Sequence, residues 1–232
     1  MAEGKKEQVR SMFNKIAWRY DLLNHLLSLN IDKIWRRKLV KMLSQKHPES
    51  ILDVATGTGD LAIAASRIKP KEIIGIDIAD EMLEFGRKKI TAKGLDKMIT
   101  LQTADSENIP YPSERFDATM VAFGVRNYEN LDLGLSEMYR ILKKNGTIYV
   151  LEFSIPTNKM FRPFYFFYFK NILPLIGKMV SKDTAAYTYL PDSVSAFPSG
   201  KSFTERLEKA GFTKCTILPL TFGIATIYTG DK

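Results

Sequence analysis

The sequence is poor in the residues that cross-link chains and bind transition metals. Its 232 residues include one cysteine, Cys215, and two histidines, His25 and His47. A single cysteine excludes an internal disulfide framework, and so few thiols and imidazoles leave no ligand set for a structural zinc. No apolar segment of the secretory type stands in residues 1–10. We therefore expect one chain that folds around its own core in the reducing cytoplasm and uses no metal.

Long hydrophobic runs are also missing. The most apolar stretch, residues 161–180, is crowded with Phe and Tyr but is interrupted by Arg162, Lys170, Asn171 and Pro174. It falls short of the ~20 consecutive apolar residues that span a bilayer. We expect an aromatic insertion that lines a tunnel for an apolar substrate or rests on a membrane, and simple packing of an extra helix on the sheet fits equally well.

Acidic residues are outnumbered by basic ones. The chain has 34 Lys and Arg against 26 Asp and Glu, a net charge of +8, and its pI is about 9.4. An excess of this size favours an anionic partner, either nucleic acid or an anionic membrane surface. The cations crowd the first part of the chain, at Lys5, Lys6, Arg10, Lys15, Arg19, Lys33, Arg36, Arg37, Lys38 and Lys41.

The pattern of apolar residues predicts the fold class. Helical periodicity covers residues 5–46, and beyond Pro48 short apolar segments alternate with helical ones. Strands are predicted at 50–55, 73–77, 98–103, 116–123, 147–153, 213–219 and 223–229, and helices from 60, at 80–92, 131–144 and 201–210. This alternation is typical of an α/β domain with a doubly wound, mostly parallel, Rossmann-like sheet of seven strands and helices on both faces.

A glycine loop follows the first strand. Asp53 stands at the end of the strand, and Gly57 and Gly59 precede a helix that begins near Asp60. Glycines let the backbone approach a ligand closely, and the Asp53 carboxylate can accept hydrogen bonds from that ligand or from the loop. The second strand ends at Asp77, eighteen positions past Gly59. An acid at that place commonly binds the ribose hydroxyls of an adenosine.

The loop lacks the third glycine of the dinucleotide fingerprint. Asp60 also places an anion at the start of the helix, which suits a cationic or zwitterionic ligand better than a diphosphate. S-adenosylmethionine, with its amino acid, sulfonium and adenosine, meets this description. The alternative is an ordinary strand, turn and helix whose glycines only tighten the turn.

Further polar residues follow the third and fourth strands. Asp105 and Ser106 come after the third strand, where a short polar side chain typically meets the adenine amino group of a bound adenosine. Ala122 lies where the fourth strand reaches the carboxyl edge of the sheet, and Arg126 and Asn127 follow in the next loop. Ligands of doubly wound sheets bind at this edge.

Several motifs make the chain similar to a known family. They are residues 9–13 with Tyr20-Asp21, Asn24 and Trp35-Arg36, the glycine loop, Phe123-Gly124-Val125-Arg126-Asn127, Glu152-Phe153-Ser154 and Tyr189-Leu190-Pro191-Asp192-Ser193-Val194. Together they resemble the ubiquinone/menaquinone biosynthesis C-methyltransferases, within the class I S-adenosylmethionine-dependent methyltransferases. The glycine loop is shared very widely, whereas the motifs at 123–127 and 189–194 are narrow. One departure is Ala55, where many methyltransferases have a glycine.

The resemblance implies an activity and a set of contacts. The expected reaction is methylation of a ring carbon of a prenylated quinol, most often demethylmenaquinol, with S-adenosylmethionine as donor and no metal. Thr58, Asp77, Asp105 and Ser106 are implied to contact the donor, together with the loop residues Asp53, Gly57 and Gly59 and the strand residue Ala122. The chain is expected to be one methyltransferase domain, with a helical cap (1–47), a cofactor-binding core (48–153), an aromatic insertion (154–200) and a C-terminal helix and strands (201–232).

Little covalent catalysis is needed for this reaction, because the sulfonium is an activated electrophile and the quinol ring is electron-rich. Arg126 is predicted to stabilise the developing phenolate and Asn127 to hold the hydroxyl or a water. The alternative is that both residues only stabilise their turn. His25 is a candidate base if the N-terminal cap closes over the substrate.

Other functions remain open at this point. A benzoquinol precursor of ubiquinone fits the same motifs as demethylmenaquinol. A nucleic-acid methyltransferase is disfavoured because the chain lacks an Asn/Asp-Pro-Pro-Tyr motif, so we expect no nucleic-acid partner. A non-catalytic adenosine-binding module is the alternative from another class. We further expect peripheral attachment to the inner face of the membrane, and a homodimer is left open.

Overall fold

The computed structural model describes residues 4–28, 30–156, 160, 162–167, 171 and 185–232. These residues form one seven-stranded sheet with the order β3-β2-β1-β4-β5-β7-β6, in which only β7 runs antiparallel to its neighbours. The strands are β1 (Ser50–Val54), β2 (Glu72–Asp77), β3 (Ile99–Thr103), β4 (Phe116–Ala122), β5 (Leu142–Phe153), β6 (Thr213–Leu220) and β7 (Ala225–Asp231). The predicted mostly parallel sheet is confirmed.

Helices cover both faces of the sheet, as predicted. They are α1 (Lys5–Leu27), α2 (Ile31–Ser44), α3 (Asp60–Ala65), α4 (Asp80–Ala92), α5 (Leu131–Ile141), α6 (Arg162–Phe167), α7 (Ala185–Ala196) and α8 (Lys201–Lys209). On one face, Leu39 and Leu43 of α2 are buried with Leu83 of α4. On the other, Met138 of α5 packs with Phe203 of α8. Among the described residues, no helix is both long and apolar enough to cross a bilayer.

Strand positions explain the burial patterns. Every residue of β1, in the middle of the sheet, is buried, because helices cover a central parallel strand on both sides. The edge strand β6 instead has exposed and partly buried residues only. The amphipathic helix α2 buries Trp35, Leu39 and Leu43 on one side and exposes four of its five cations on the other. These four are Lys33, Arg37, Lys38 and Lys41.

The helix that begins at residue 131 is predicted to end at residue 144, and this predicted end is wrong. The helix ends at Ile141, and residues 143–146 lie within β5, where they bulge out of the register with β4. Gly146 is needed there because a Cβ atom would lie 3.0 Å from the Asp117 carbonyl oxygen. Lys143 Nζ also donates to Asp117 Oδ1 at 2.7 Å. The sequence of residues 143–146 (Lys-Lys-Asn-Gly) is typical of a helix end, but the pairing of β4 with β5 places these residues in a strand.

The tyrosines and prolines of residues 184–198 predict an irregular insertion. This prediction is wrong for most of its length, since α7 covers Ala185–Ala196 with Pro191 inside it. Val194 and Phe197 are buried, and this tertiary packing outweighs the single amide that the proline lacks. Of the aromatic run at 161–180, the structure describes residues 162–167, as α6, and residue 171. The rest of that prediction lies outside the described residues.

Candidate active site

A cleft lies at the carboxyl ends of β1, β2 and β4. Its volume is about 670 Å³ when the solvent space at its open mouth is included. Its floor comes from the loops after these strands, and α1 lies over it with Val9, Phe13 and Tyr20 among the lining residues. The cleft is therefore at the edge of the sheet where ligands of this architecture bind.

The glycine loop has the backbone that its sequence requires. Gly57 and Gly59 have φ angles of 57° and 78°, in the left-handed region that favours glycine. Ala55 also has a positive φ, 53°, and its methyl group lies 2.7 Å from where a Cβ of Gly124 would be. Ala55 is therefore accommodated because position 124 has no side chain.

The Asp77 carboxylate connects this loop to β2. Its Oδ2 accepts a hydrogen bond from the Gly57 amide at 2.8 Å, and its Oδ1 accepts one from the Ala79 amide at 2.9 Å. Burial raises the pKa of Asp77, and these two backbone amides oppose that effect. Because Asp77 also lines the cleft, its remaining lone pairs can accept hydrogen bonds from a ligand.

Asp53 lies beneath the loop and not in the cleft lining. Its Oδ2 accepts hydrogen bonds from the Thr56 hydroxyl at 2.7 Å and from the Ala62 amide at 3.1 Å. Its Oδ1 has no partner among the described residues, and burial raises the pKa of Asp53 to about 7. Of the two roles open to Asp53 from the sequence, the geometry favours holding the loop.

Asp105 and Ser106, in the loop after β3, also line the cleft. Asp105 Oδ1 accepts a hydrogen bond from the Glu107 amide at 2.9 Å, and its Oδ2 lies 2.7 Å from Lys6 Nζ. Lys6 also lies 3.2 Å from the Glu107 carboxylate, and the hydrogen bond with Asp105 raises the pKa of Lys6. A lysine from α1 thus binds the side chain that was predicted to contact adenine.

A second ion-pair cluster holds α1 over the glycine loop. Thr58 Oγ1 donates to Asp21 Oδ1 at 2.5 Å. Lys89 Nζ lies 2.6 Å from Asp21 Oδ2 and 2.5 Å from Asp60 Oδ1. Thr58, predicted to contact the donor, points toward α1 and α4 in this structure, and neither it nor Gly59 is among the cleft-lining residues.

The α1 side of the cleft was not predicted from the sequence. Val9, Phe13 and Tyr20 belong to a family motif, but the sequence does not assign them to the site. From the sequence, Lys6 is only one of the basic residues. The spacing of Val9, Phe13, Ile16 and Tyr20 showed that α1 has an apolar face. Only the fold shows that part of this face covers the cleft.

The charge of the cleft lining fits the expected donor. The lining includes the carboxylates of Asp77, Asp105, Glu107 and Glu129 and one ammonium group, that of Lys6. Such a balance disfavours phosphates and favours a cation with hydroxyl and amino donors, which S-adenosylmethionine provides. In the part of the chain that the structure describes, no group of three or more metal-ligating side chains is found.

Asn127 and Arg126 have different surroundings. Asn127 lines the cleft, and its Oδ1 accepts a hydrogen bond from the Tyr189 hydroxyl of α7 at 3.0 Å. Arg126 instead points away from the cleft lining. Its guanidinium lies 2.9 Å from Glu152 Oε1, donates to the Phe123 carbonyl and lies 3.3 Å from Ser193 Oγ. Direct stabilisation of a phenolate by Arg126 stays a prediction.

Glu152 is a buried partner that the sequence analysis did not assign to the site. Its side chain is 0% exposed and that of Arg126 is 7% exposed. Burial raises the pKa of Glu152, and the charge of Arg126 opposes this effect. The pair ties the loop after β4 to the end of β5, so it helps to position Asn127.

The predicted site residues therefore fall into two groups. Those that line the cleft are Gly57, Asp77, Asp105, Ser106, Ala122 and Asn127. Those that support it from behind are Asp53, Thr58, Gly59 and Arg126. His47 is exposed, and the side chain of His25 lies outside what the structure describes.

Comparison with known proteins gives matches along the whole chain. The model of the ubiE/COQ5 methyltransferase family matches residues 1–232. A demethylmenaquinone methyltransferase of Bacteroides fragilis is 45% identical over 99% of this chain and 95% of that protein. A ubiquinone/menaquinone biosynthesis C-methyltransferase of Geobacter sulfurreducens is 45% identical over 98% of this chain and 90% of that protein.

Solved structures share the architecture at low identity. A SAM-dependent methyltransferase from Aquifex aeolicus superposes with a TM-score of 0.58 over 79% of this chain and 81% of that one. The two sequences are 17% identical, so this likeness concerns the fold alone.

The buried Asp53 carboxyl predicts a pH dependence of stability. The folded chain keeps this proton up to about pH 7, whereas an unfolded chain releases it near 4. Between these values the folded state binds more protons, so rising pH favours unfolding. Relative to Asp53→Asn, the free energy of unfolding should fall by about 1.4 kcal/mol per pH unit in this window. Urea titrations at several pH values measure the difference, and parallel curves for the two proteins would contradict the assignment.

The Arg126–Glu152 pair predicts a second stability effect. Arg126→Met leaves the Glu152 charge buried without its partner and should cost about 3–5 kcal/mol. Ser193→Ala, which removes one neighbouring hydroxyl, should cost about 1 kcal/mol. Adding Glu152→Gln to Arg126→Met should recover part of the loss, because the buried charge is gone. If Arg126→Met unfolds at the same urea concentration as the unmodified protein, the pair has no structural role.

Proposed function

The chain belongs to the ubiE/COQ5 methyltransferase family, and from this premise we propose that it methylates a ring carbon of a prenylated quinol, converting demethylmenaquinol to menaquinol. The methyl donor in this proposal is S-adenosylmethionine. The observation that carries it is a single cleft that is lined by Asp77, Asp105 and Asn127 together. The cleft thus combines groups suited to an adenosine with a polar group suited to a phenol.

The donor would be held by residues from three loops. Asp77 would accept hydrogen bonds from the ribose hydroxyls, and Asp105 with Ser106 would bind the adenine edge. When bound, S-adenosylmethionine supplies a methyl group activated on a sulfonium. The apolar side chains of Phe13, Met82 and Phe123 line the same cleft and would exclude water from it.

Asn127 is the residue we propose to bind the quinol oxygen. Its Oδ1 accepts from Tyr189, so its amide nitrogen is left to donate into the cleft. A donor at that place stabilises the negative charge that develops as the ring hydroxyl loses its proton. Arg126 contributes by fixing the loop of Asn127 through Glu152.

The proposed substrate also suggests where the enzyme works. A prenylated quinol dissolves in the membrane, so the enzyme must meet it at the bilayer surface. We propose a cytoplasmic protein that attaches peripherally to the inner face of the membrane, needs no metal and has no nucleic-acid partner. A homodimer stays a prediction. The second candidate substrate is the prenylated methoxy-benzoquinol of ubiquinone synthesis, favoured by the Geobacter relative, whose name covers both quinones.

A matched substrate pair tests the proposed function. Demethylmenaquinol and the benzoquinol, both with the same short prenyl tail, are incubated with the enzyme and methyl-labelled S-adenosylmethionine. We expect label in the naphthoquinol ring and a kcat/KM at least tenfold lower for the benzoquinol, since the cleft would fit one ring better. Label in neither ring, from a protein that binds the donor, would refute the proposal.

The donor site predicts a binding defect. Asp77→Asn keeps one acceptor oxygen for the Gly57 amide, gives up the bond to the Ala79 amide, and loses the charge that strengthens hydrogen bonds to the ribose, each worth about 1.5–3 kcal/mol. The Kd for S-adenosylmethionine should rise at least tenfold in calorimetry. Asp80→Asn changes an exposed carboxylate nearby that does not line the cleft and is the control. Equal affinities of the two folded variants would exclude Asp77 from the ribose site.

A further inference from the structure

The outer side of α2 is basic and exposed. Lys33, Ile34, Arg37, Lys38 and Lys41 are all exposed and are spaced so that they share one face of the helix. The inner side carries the buried apolar residues already described. We call these five exposed residues the α2 outer face.

The cations of this face have no acidic partners. Among the described residues, Arg37, Lys38 and Lys41 take part in no ion pair, and Lys33 Nζ donates only to the amide oxygen of Asn30 at 2.8 Å. By contrast, the exposed Lys71 pairs with Glu49 at 2.7 Å.

The nearby carboxylates do not neutralise this charge. Asp32 is buried and paired with Arg36, and Asp21 lies against Lys89. They are the only acidic residues between Ser11 and Lys46, a stretch that holds eight Lys and Arg. The field of the α2 outer face is therefore positive and uncompensated.

Large apolar side chains are also exposed on α1, on α2 and in the turn after β6. Trp18 and Leu22 of α1 are each 61% exposed, Ile34 is 60% exposed and Phe222 is 63% exposed. The Arg19 guanidinium lies 3.8 Å from the centre of the Trp18 ring. Aromatic rings beside cations are typical of surfaces that rest at the membrane interface.

Two contacts place α2 and Phe222 near the cleft. Trp35 Nε1 donates to Thr221 Oγ1 at 2.8 Å, which brings the turn of Phe222 beside the first turns of α2. The Trp35 ring also lies 6.1 Å from that of Phe123, a cleft-lining residue. The first turns of α2 and the Phe222 turn are thus connected to the cleft wall through Trp35.

We propose that the α2 outer face, with Trp18, Leu22 and Phe222, docks on an anionic lipid bilayer. Its cations would bind the headgroups, while the apolar side chains enter the interfacial zone. This inference rests on the proposed function, because an enzyme whose substrate is dissolved in lipid must bind the bilayer to reach it. The sequence predicts docking through the aromatic insertion together with the basic N-terminal cap. The present proposal narrows the part of the cap to named residues of α1 and α2 and adds the Phe222 turn.

Lipid is favoured over nucleic acid by the composition of the surface. Contacts to phosphate chains need cations, but not exposed Leu and Ile between them. Binding to a bilayer uses exposed apolar side chains, which insert into the interfacial zone, in addition to the attraction between cations and anionic headgroups. Each cation near an anionic surface strengthens binding about fivefold, from about 1 kcal/mol apiece, so loss of three should weaken it about a hundredfold.

Sedimentation of the full-length protein with vesicles tests this surface. The vesicles contain phosphatidylglycerol and phosphatidylcholine in equal amounts, with pure phosphatidylcholine as the neutral comparison. Arg37→Gln, Lys38→Gln and Lys41→Gln are combined in one variant, and Ile34→Ser with Phe222→Ser in another. The matched control combines Lys93→Gln, Lys97→Gln and Lys144→Gln, three exposed lysines away from α2.

We expect binding to anionic vesicles that weakens at high salt and is lost in the α2 triple variant. The control triple should bind as the unmodified protein does, and the apolar double variant should bind at least tenfold more weakly at any salt concentration. Equal losses in the two triple variants would overturn the proposal, because net charge alone would then explain binding. No binding of the unmodified protein to anionic vesicles would also overturn it.

The same variants also test whether the α2 outer face binds RNA or a second copy of this chain. Tighter binding of a single-stranded RNA than of vesicles, lost in the α2 triple variant, would assign the surface to nucleic acid and overturn the proposal. A dimer in sedimentation velocity that the triple variant abolishes would do the same in favour of a second copy.

Activity separates docking from the proposed function. Toward a short-tailed, water-soluble demethylmenaquinol, the α2 triple variant should keep the kcat/KM of the unmodified protein. Toward a long-tailed quinol in anionic vesicles, its rate should fall at least tenfold. Vesicle binding without methylation of any quinol would sink the proposed function and leave docking supported, whereas equal rates on the vesicle substrate would sink docking alone.

Discussion

The hydrogen bond from the Gly57 amide to the Asp77 carboxylate joins the two strands on which the site depends. It fixes the loop after β1 to the end of β2 at 2.8 Å. The bond requires the left-handed backbone of Gly57, which a larger residue would adopt only with strain. It also leaves Asp77 at the cleft wall. One interaction therefore sets both the shape of the loop and the position of the carboxylate that faces the ligand.

The N-terminal helix completes this arrangement through charge. Lys6 binds Asp105 of the cleft lining, and Asp21 is bound by Thr58 and Lys89 outside that lining. The cap is thus held by polar contacts at two places, while Val9, Phe13 and Tyr20 line the cleft. These groups are only partly buried, so each pair stabilises the closed arrangement modestly. A cap held in this way excludes water and still leaves the cleft an open mouth.

The far wall of the cleft depends on a buried network. Glu152 sits at the end of β5, Arg126 reaches it from the loop after β4, and Ser193 of α7 contacts the guanidinium. Tyr189 of the same helix binds Asn127. Because a buried charge without a partner is costly, the network favours one arrangement of the loop. The segment around α7 therefore takes part in the site by positioning Asn127.

The sequence alone determined the class of fold and the ligand edge. Apolar periodicity placed the strands and most helices, and Gly57 with Asp77 and Asp105 indicated the edge of the sheet where the cleft lies, because these signals are local and act over a few residues. It could not show that Asp53 and Arg126 support the site from behind, since a residue's orientation depends on what packs around it. The helix that ends at Ile141 and the helix through Pro191 were likewise decided by strand pairing and burial. Tertiary structure alone brought Lys6 to Asp105, because a contact between residues so far apart in the chain depends on how α1 packs over the sheet.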